Sequence, residues 1–367
     1  MPKVVISGYY GFHNSGDEAI LHAMLLALRD AVPGLEAVVL SKDPGYTSSE
    51  FGVRSILRDK PLDVLKALRE ADLLISGGGG LLQDVTGPKS IIYYLGVAAL
   101  AKFLGKPVFF YAQGIGPVNT ALGRALVRLV ADRVNVITVR DQDSKEELVA
   151  MGVTRPRIHV TADPVLGLNP DLFDRERGRE ILMSLGVGEG PLVGISVRPW
   201  KGLEGFKGAV AGAADDLAAE GWQVLLVPMH YPGDLGVCRE VASKMKARPH
   251  IFDGGAGYRD LLAVTANLDL AVGMRLHFLI FGAIFGVPVL GIPYDPKVNC
   301  FLRSLGLPSG LDVETLEHGR LISAVRELLK NREEAGARLK ERVGHLRNMA
   351  LRNASLAAEL IGGVPAS

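Results

Sequence analysis

The chain has 367 residues, enough for about two domains of ordinary size, so a single small module is excluded. Hydrophobic residues make up 48% and charged residues 22% of a composition typical of globular proteins. The 41 Lys and Arg against 40 Asp and Glu leave a net charge of +1, which argues against a general nucleic-acid binder. An anionic ligand must therefore meet a local cluster of basic residues.

Short apolar runs, each followed by a glycine-rich or polar corner and a helical pattern, predict βα units with parallel sheets. In the first half, strands are predicted at 3–8, 37–41, 72–76, 107–112, 134–140 and 158–162. A junction rich in Pro and Gly follows at 163–190, and then strands at 192–197, 223–229, 268–272 and 287–292 and helices over 316–361. The pattern predicts two Rossmann-like α/β domains facing a cleft, 1–170 and 171–367.

The cysteine content and the first residues of the chain predict a cytoplasmic protein. Cys238 and Cys300 are too few for a disulfide framework and lack the spacing of a zinc site, so we expect no metal. Residues 1–6 run straight into an apolar strand without the pattern of an export signal.

The most apolar segment, residues 91–104, is too short to cross a bilayer and is typical of a buried helix. Its aromatic residues and the flanking Lys89, Lys102 and Lys106 would also suit a helix lying on the inner face of a membrane. Both alternatives stay open.

Ligands of such domains bind at the carboxyl ends of the strands, so the corners there are the candidate sites. The first corner, 8–19, matches neither a P-loop nor GxGxxG, and Asp17 and Glu18 in its helix disfavour a phosphate. Tyr10 and Phe12 could stack on an apolar sugar face while Asn14 and His13 bond its hydroxyls; aromatic plugs under a turn are the alternative.

Three more corners complete the first domain. Residues 76–84 contain four successive glycines, among which Gly78 and Gly79 could cradle a ligand or let a neighbouring element pass closely. Gln113 and Arg140 end adjacent strands and are candidates for contact with substrate. A structural ion pair between Arg140 and Asp141 or Asp143 is the alternative for the arginine.

Every strand end of the second domain offers a cation or a histidine. Convergence of so many basic groups predicts one small polyanionic ligand, since each guanidinium binds a carboxylate or phosphate through paired hydrogen bonds. His277 follows Arg275 by two residues at the start of an apolar helix, where it is either a core residue or an acid/base group. The candidate ligand-binding residues are Arg198, Lys201, His230, Arg275, Tyr294 and Lys297.

These segments, in this order, resemble the polysaccharide pyruvyl transferases, and particularly those that act on the secondary cell-wall polymers anchoring bacterial surface layers. The resemblance rests on residues 8–19, 76–84, 111–117, 275–277 and 294–297. Where it implies an asparagine after Phe12, this chain has His13.

The resemblance implies a GT-B-like fold, phosphoenolpyruvate as donor without a further cofactor, and a lipid-linked sugar as acceptor. The acceptor is typically an N-acetylmannosamine that receives a 4,6-ketal. It also implies that Arg275 and His277 are active-site residues and that Tyr10 and Phe12 lie near the substrate.

We hypothesise that His277 is the general acid and that Arg275, Arg198 and Lys297 stabilise the carboxylate and the leaving phosphate. A nucleotide-sugar glycosyltransferase of the same architecture is one alternative, although residues 273–297 offer only Asp295 as a carboxylate for ribose hydroxyls. A carbohydrate-binding protein without catalytic activity is another. The oligomeric state stays open.

Overall fold

A computed structural model of the protein describes residues 1–85, 87, 89–253 and 257–363. The chain forms two compact units. The first unit holds Met1–Phe12, Asp17–Gly167 and the residues from Leu346 onward, and the second holds His13–Gly16 and Leu168–His345. The α/β class predicted from the sequence is confirmed, because both units are built on parallel sheets flanked by helices.

The first unit contains an eight-stranded sheet in the order β3-β2-β1-β4-β6-β7-β8, with β5 paired to β6. Val4, Val5 and Ile6 of the central β1 are all buried, as expected for a strand covered on both faces. The elements are β1 (Lys3–Ser7), α1 (Ser15–Ala31), β2 (Glu36–Ser41), α2 (Pro44–Phe51), β3 (Arg54–Leu57), α3 (Pro61–Glu70), β4 (Leu73–Ser76), β5 (Gly79–Leu82), α4 (Lys89–Phe103), β6 (Val108–Ile115), α5 (Ala121–Ala131), β7 (Val136–Val139), α6 (Gln142–Ala150) and β8 (Ile158–Val160).

The second unit contains a five-stranded parallel sheet in the order β11-β10-β9-β12-β13. Its central strands β9 and β12 are fully buried, so their carboxyl ends open onto the rim where the candidate residues follow. The elements are α7 (Arg175–Ser184), β9 (Leu192–Ser196), α8 (Gly205–Ala219), β10 (Gln223–Leu226), α9 (Leu235–Lys244), β11 (His250–Ile251), α10 (Tyr258–Thr265), β12 (Leu270–Gly273), α11 (Leu276–Ile284), β13 (Val289–Gly291), α12 (Pro296–Ser304), α13 (His318–Lys330) and α14 (Arg332–Ile361).

The C-terminal helix differs from the sequence-based expectation, which gave all of 171–367 to one domain. From Leu346 onward α14 belongs to the first unit. The buried Asn353 accepts a hydrogen bond from the Thr161 hydroxyl at 2.9 Å, and Leu351 packs near Gly167. These long-range contacts, which helical periodicity does not reveal, attach the end of the helix to the sheet of the first unit. Residues 254–256 and 364–367 of the predicted second domain lie outside the described residues.

Three short strands were not predicted: β3, β5 and β11. β5 begins inside the four-glycine corner, because Gly79 and Leu82 pair with Gln113 and Ile115 of β6. Glycine has a low intrinsic preference for strands, so only this pairing with β6 reveals the strand.

Candidate active site

The centre of the candidate site is the Tyr294 side chain, which follows β13 in the second unit. The Arg198 guanidinium, which follows β9, donates a hydrogen bond from Nη1 to the Tyr294 hydroxyl at 2.9 Å. The Lys297 ammonium, in the first turn of α12, lies 5.0 Å from the centre of the same ring. Two strand ends far apart in sequence therefore place their cations around one phenol.

These charges change the acidity of the phenol. Burial raises the pKa of the Tyr294 phenol, but Lys297, Arg198 and Arg275 act in the opposite direction and hold it below its usual value. Three cations therefore act on one hydroxyl. A site with this field stabilises negative charge, whether on the phenol or on a bound anion.

Trp200 forms the adjoining wall of the site. Its ring lies 4.7 Å from that of Tyr294, between centroids, and the Lys201 ammonium lies 4.9 Å from the indole centre. Lys201 itself is exposed and also lies near Glu314, at 3.9 Å. The buried Nε1 of Trp200 has no hydrogen-bond partner among the described residues.

A buried carboxylate, that of Asp234, binds and orients the Arg275 guanidinium. Asp234, which precedes α9, accepts the Arg275 Nε–H at 2.9 Å and a second hydrogen bond from Nη2. The same carboxylate accepts the backbone N–H groups of Met229 and His230, at 3.2 and 3.0 Å. Because a guanidinium carries five N–H donors, Asp234 leaves three of them for another acceptor. His230 thus contributes its backbone to orienting Arg275.

His277 stands at the start of α11, two residues after Arg275. The N-cap residue Arg275 makes no capping hydrogen bond with its side chain, and the first N–H groups of the helix add to the positive potential of the corner. Gly16 packs directly against the imidazole, and a Cβ on that residue would lie 2.1 Å from Nδ1. Only a glycine permits this approach, so Gly16 defines one side of the His277 environment.

The segment His13–Gly16 is held in the second unit by backbone pairing. The Ser15 N–H donates to the Met229 carbonyl at 3.0 Å, and Asn14 pairs with His230 as an isolated antiparallel bridge. The Asn14 side-chain oxygen accepts the Gly16 N–H at 3.1 Å. Asn14 therefore shapes the turn that carries Gly16 to His277.

In the ranges that the structure describes, no group of three or more His, Cys, Asp or Glu side chains could hold a metal ion. None of the helices described is both long and apolar enough to cross a membrane.

A family model described as polysaccharide pyruvyl transferase matches residues 14–296, more than half of the chain. The chain belongs to this family. It is therefore a transferase of polysaccharide biosynthesis. The amylovoran biosynthesis protein AmsJ of Erwinia amylovora is 25% identical over 284 residues, which cover 73% of this chain and 68% of AmsJ.

Solved structures similar to this pyruvyl transferase family member show its fold. HepE of Anabaena, in complex with UDP-glucose, superposes with a TM-score of 0.69 at 14% identity, covering 99% of this chain and 100% of HepE. The UDP-GlcNAc 2-epimerase of Neisseria meningitidis gives 0.64 at 12% identity, covering 98% and 100% of the two chains. The expected GT-B-like fold is confirmed.

In the first unit of this pyruvyl transferase, two predicted substrate residues are fully buried. The Tyr10 hydroxyl lies 3.6 Å from Met24 Sδ, and a Cβ on Gly77 would lie 2.2 Å from that hydroxyl. Burial raises the pKa of the Tyr10 phenol well above its usual value. Gln113 donates from Nε2 to the Ser76 hydroxyl at 2.8 Å. Both side chains are buried under the strand ends, and their contact with a ligand stays a prediction.

The glycine corner and Arg140 also have protein partners. Gly78 lies against Ile20, where a Cβ would come within 3.0 Å of a methyl group, and Gly79 adopts a left-handed φ of 97°. The Arg140 guanidinium lies 3.2 Å from the buried Asp163 carboxylate and 3.7 Å from Asp141. The ion pair between Arg140 and Asp141, which the sequence analysis gave as the alternative to substrate contact, is therefore present.

Phe12 is the predicted substrate residue of the first unit that remains half-buried with an aromatic neighbour. Its ring stacks on Tyr9 with centroids 4.0 Å apart and planes 4° from parallel, and the Arg58 guanidinium lies 5.3 Å from its centre.

Sequence reasoning missed Asp234, Gly16 and Trp200 as parts of the site. An aspartate two residues after Pro232 and just before a helix is typical of a cap, and a lone glycine in a turn carries no chemistry. The tryptophan stood beside Arg198 in the same corner, which was the available signal.

Proposed function

We propose that the protein transfers a pyruvate ketal from phosphoenolpyruvate to a sugar of a lipid-linked cell-wall polysaccharide precursor, with release of phosphate. The observation that carries the proposal is the grouping of Arg198, Arg275 and Lys297 about Tyr294 in a chain of net charge +1. Phosphoenolpyruvate bears a carboxylate and a phosphate on one carbon, so its binding needs several cations at short range.

Within this proposal Arg275 binds the donor through the three N–H groups that Asp234 does not use. Lys297 and Arg198 neutralise the second anionic group, and their fixed positions stabilise charge that grows on the leaving phosphate. Lys201 and the Trp200 indole close the outer side of the donor pocket.

His277 acts as the general acid. It transfers a proton to the methylene carbon of the donor, which leaves an oxocarbenium-like centre at the adjacent carbon. One sugar hydroxyl adds to this centre and loses its proton. The second hydroxyl then adds as the carbon–oxygen bond to phosphate breaks. Phosphate leaves with the bonding electrons and takes up the proton of this second hydroxyl.

For the acceptor we propose an N-acetylmannosamine of a secondary cell-wall polymer that receives a 4,6-ketal, in the cytoplasm at the inner face of the membrane. The stacked Tyr9–Phe12 pair supports recognition of a sugar ring in the first unit. The resemblance in the motif residues 275–277 and 294–297 supports the choice of donor.

The test measures phosphate released from phosphoenolpyruvate against a panel of lipid-linked acceptors. Replacing His277 by Ala should lower turnover about 100-fold or more while calorimetric binding of phosphoenolpyruvate persists. The matched control is His318→Ala, which removes an exposed histidine paired with Asp216 in the same unit and should leave turnover unchanged.

Two outcomes would contradict the proposal. Loss of donor binding with normal turnover at saturation would remove His277 from the acid role. Absence of phosphate release with every acceptor, together with binding of a labelled sugar nucleotide, would favour nucleotide-sugar transfer instead.

A further inference from the structure

The outer face of α4 in the first unit is apolar and uncovered. After the exposed Lys89 at its start, its exposed residues are Ile92, Gly96, Ala99 and Phe103. Spacings of four, three and four residues place them along a single stripe of the helix. A water-facing stripe is normally polar, and α13 of the second unit, which exposes Ser323, Arg326 and Lys330, is an ordinary example.

The neighbouring α5 continues this face. It packs beside α4 and exposes Leu122, Ala125 and Leu129. Phe103 is 87% exposed, and Leu122, Leu129 and Ile92 are 63%, 53% and 52% exposed. Large apolar side chains exposed together on adjacent helices mark a surface that meets something other than water.

The charges of the two helices have one sign. The charged residues of α4 and α5 are Lys89, Lys102, Arg124 and Arg128, and neither helix contains a carboxylate. Arg124 is paired with Glu147 of α6 at 2.8 Å, whereas Arg128 is exposed and interacts electrostatically with Asp132 at the end of α5. The protein as a whole is nearly neutral, so this face is a local excess of positive charge.

We propose that α4 and α5 form a membrane-binding surface that lies on an anionic phospholipid bilayer. Exposed apolar side chains flanked by cations match the boundary between acyl chains and anionic headgroups. A second copy of the chain fits less well, because a symmetric contact would bring two basic faces together. The surface is argued from exposure and charge alone; its use, to bring the enzyme to a lipid-linked acceptor, rests on the proposed function.

The experiment is co-sedimentation of the full chain with vesicles of phosphatidylglycerol and phosphatidylcholine, and with vesicles of phosphatidylcholine alone. The wild-type protein should partition onto the anionic vesicles, less so at high salt. The double variant Ile92→Glu, Phe103→Glu should lower the partition coefficient more than about 10-fold. Arg128→Gln should lower it about 5-fold, which corresponds to the roughly 1 kcal/mol of one cation at such a surface.

The control is Met183→Glu, which places one glutamate at an exposed apolar position on α7 of the second unit and should leave partitioning unchanged. All four positions are exposed, and circular dichroism checks that each variant is folded. Equal binding to neutral and anionic vesicles, or equal binding by wild type and the double variant, would overturn the proposal. A wild-type dimer that the double variant abolishes would assign the face to a second copy.

A further readout separates this surface from the proposed function. In the double variant the ratio of the rate with a lipid-linked acceptor in vesicles to the rate with a water-soluble acceptor should fall about 10-fold. An unchanged ratio would overturn the role of the surface. Normal vesicle binding without phosphate release from any acceptor would refute the proposed function and leave the surface intact.

Discussion

The strand ends of the two units carry similar residue types and use them differently. In the first unit Gln113 and Arg140 are engaged by Ser76 and Asp163, both buried. In the second unit the half-buried Arg198 and Lys297 lie around Tyr294, although Lys297 also lies 3.3 Å from the Asp295 carboxylate. Asp234 accepts hydrogen bonds from only one edge of the Arg275 guanidinium. A polar residue at a strand end therefore indicates a ligand only when its protein partners leave donors unused.

The largest effect expected from this comparison is on stability in the first unit. Arg140→Met removes the guanidinium that lies 3.2 Å from the buried Asp163 carboxylate, so the free energy of unfolding should fall by about 3–5 kcal/mol. Urea denaturation measures this loss, and the KM for phosphoenolpyruvate should not change. Arg155→Met is the control, because Arg155 forms an exposed pair with Asp132 and its loss should cost about 1 kcal/mol or less. A normal stability with a raised KM for the acceptor would assign Arg140 to the ligand instead.

The second effect concerns the positioning of Arg275. Asp234→Asn keeps an acceptor for the backbone N–H groups but loses the charged fork, so the KM for phosphoenolpyruvate should rise about 100-fold with a smaller change in kcat. Steady-state kinetics measure the split between KM and kcat, and Asp234→Glu should recover part of the affinity.

The control for that substitution is Asp260→Asn, which removes the charge of an exposed pair with Arg177 in the same unit. A purely structural role of Asp234 would lower the melting temperature and the amount of active enzyme while the KM stayed constant. That result would contradict the view that the strand ends of the second unit, unlike those of the first, keep hydrogen-bond donors for a ligand.

The smallest expected effect is on the pH dependence of stability. It concerns Glu18, a buried carboxyl group in the first corner of the first unit. Burial raises the pKa of this carboxyl from about 4.5 to about 8, although the Gly11 N–H donates to it at 2.9 Å. The folded state thus holds a proton that the unfolded state releases, so this contribution to stability is full below about pH 4.5 and is lost as the pH rises through 8.

Glu18→Gln should therefore remove a downward slope of at most about 1.4 kcal/mol per pH unit in that window. Urea denaturation at several pH values, compared with the exposed Glu36→Gln, measures the slope. Parallel pH profiles of the wild-type protein and Glu18→Gln would show that Glu18 is ionised in the folded state.

The parts of this fold that could be predicted are those with a local signal. Continuous apolar runs gave most strands of both sheets, and the position of Arg198, Arg275 and Lys297 after strands predicted a basic cluster in the second unit. The burial of Tyr10, the carboxylate behind Arg275 and the attachment of Asn353 to Thr161 arise from contacts between distant segments. No periodicity or motif encodes such contacts, so the sequence could not reveal them.

Each unit contains a short segment that is distant in sequence from the rest of that unit, and this affects how the protein can be synthesised. Because Thr161 and Gly167 find partners at residues 350–353 of α14, the first unit cannot complete its packing until the ribosome has synthesised that part of the chain. A gene fragment beginning at Leu168 would, for its part, lack the turn that carries Gly16 to the His277 imidazole. Neither unit can therefore be expressed as one continuous segment that keeps all of its native contacts.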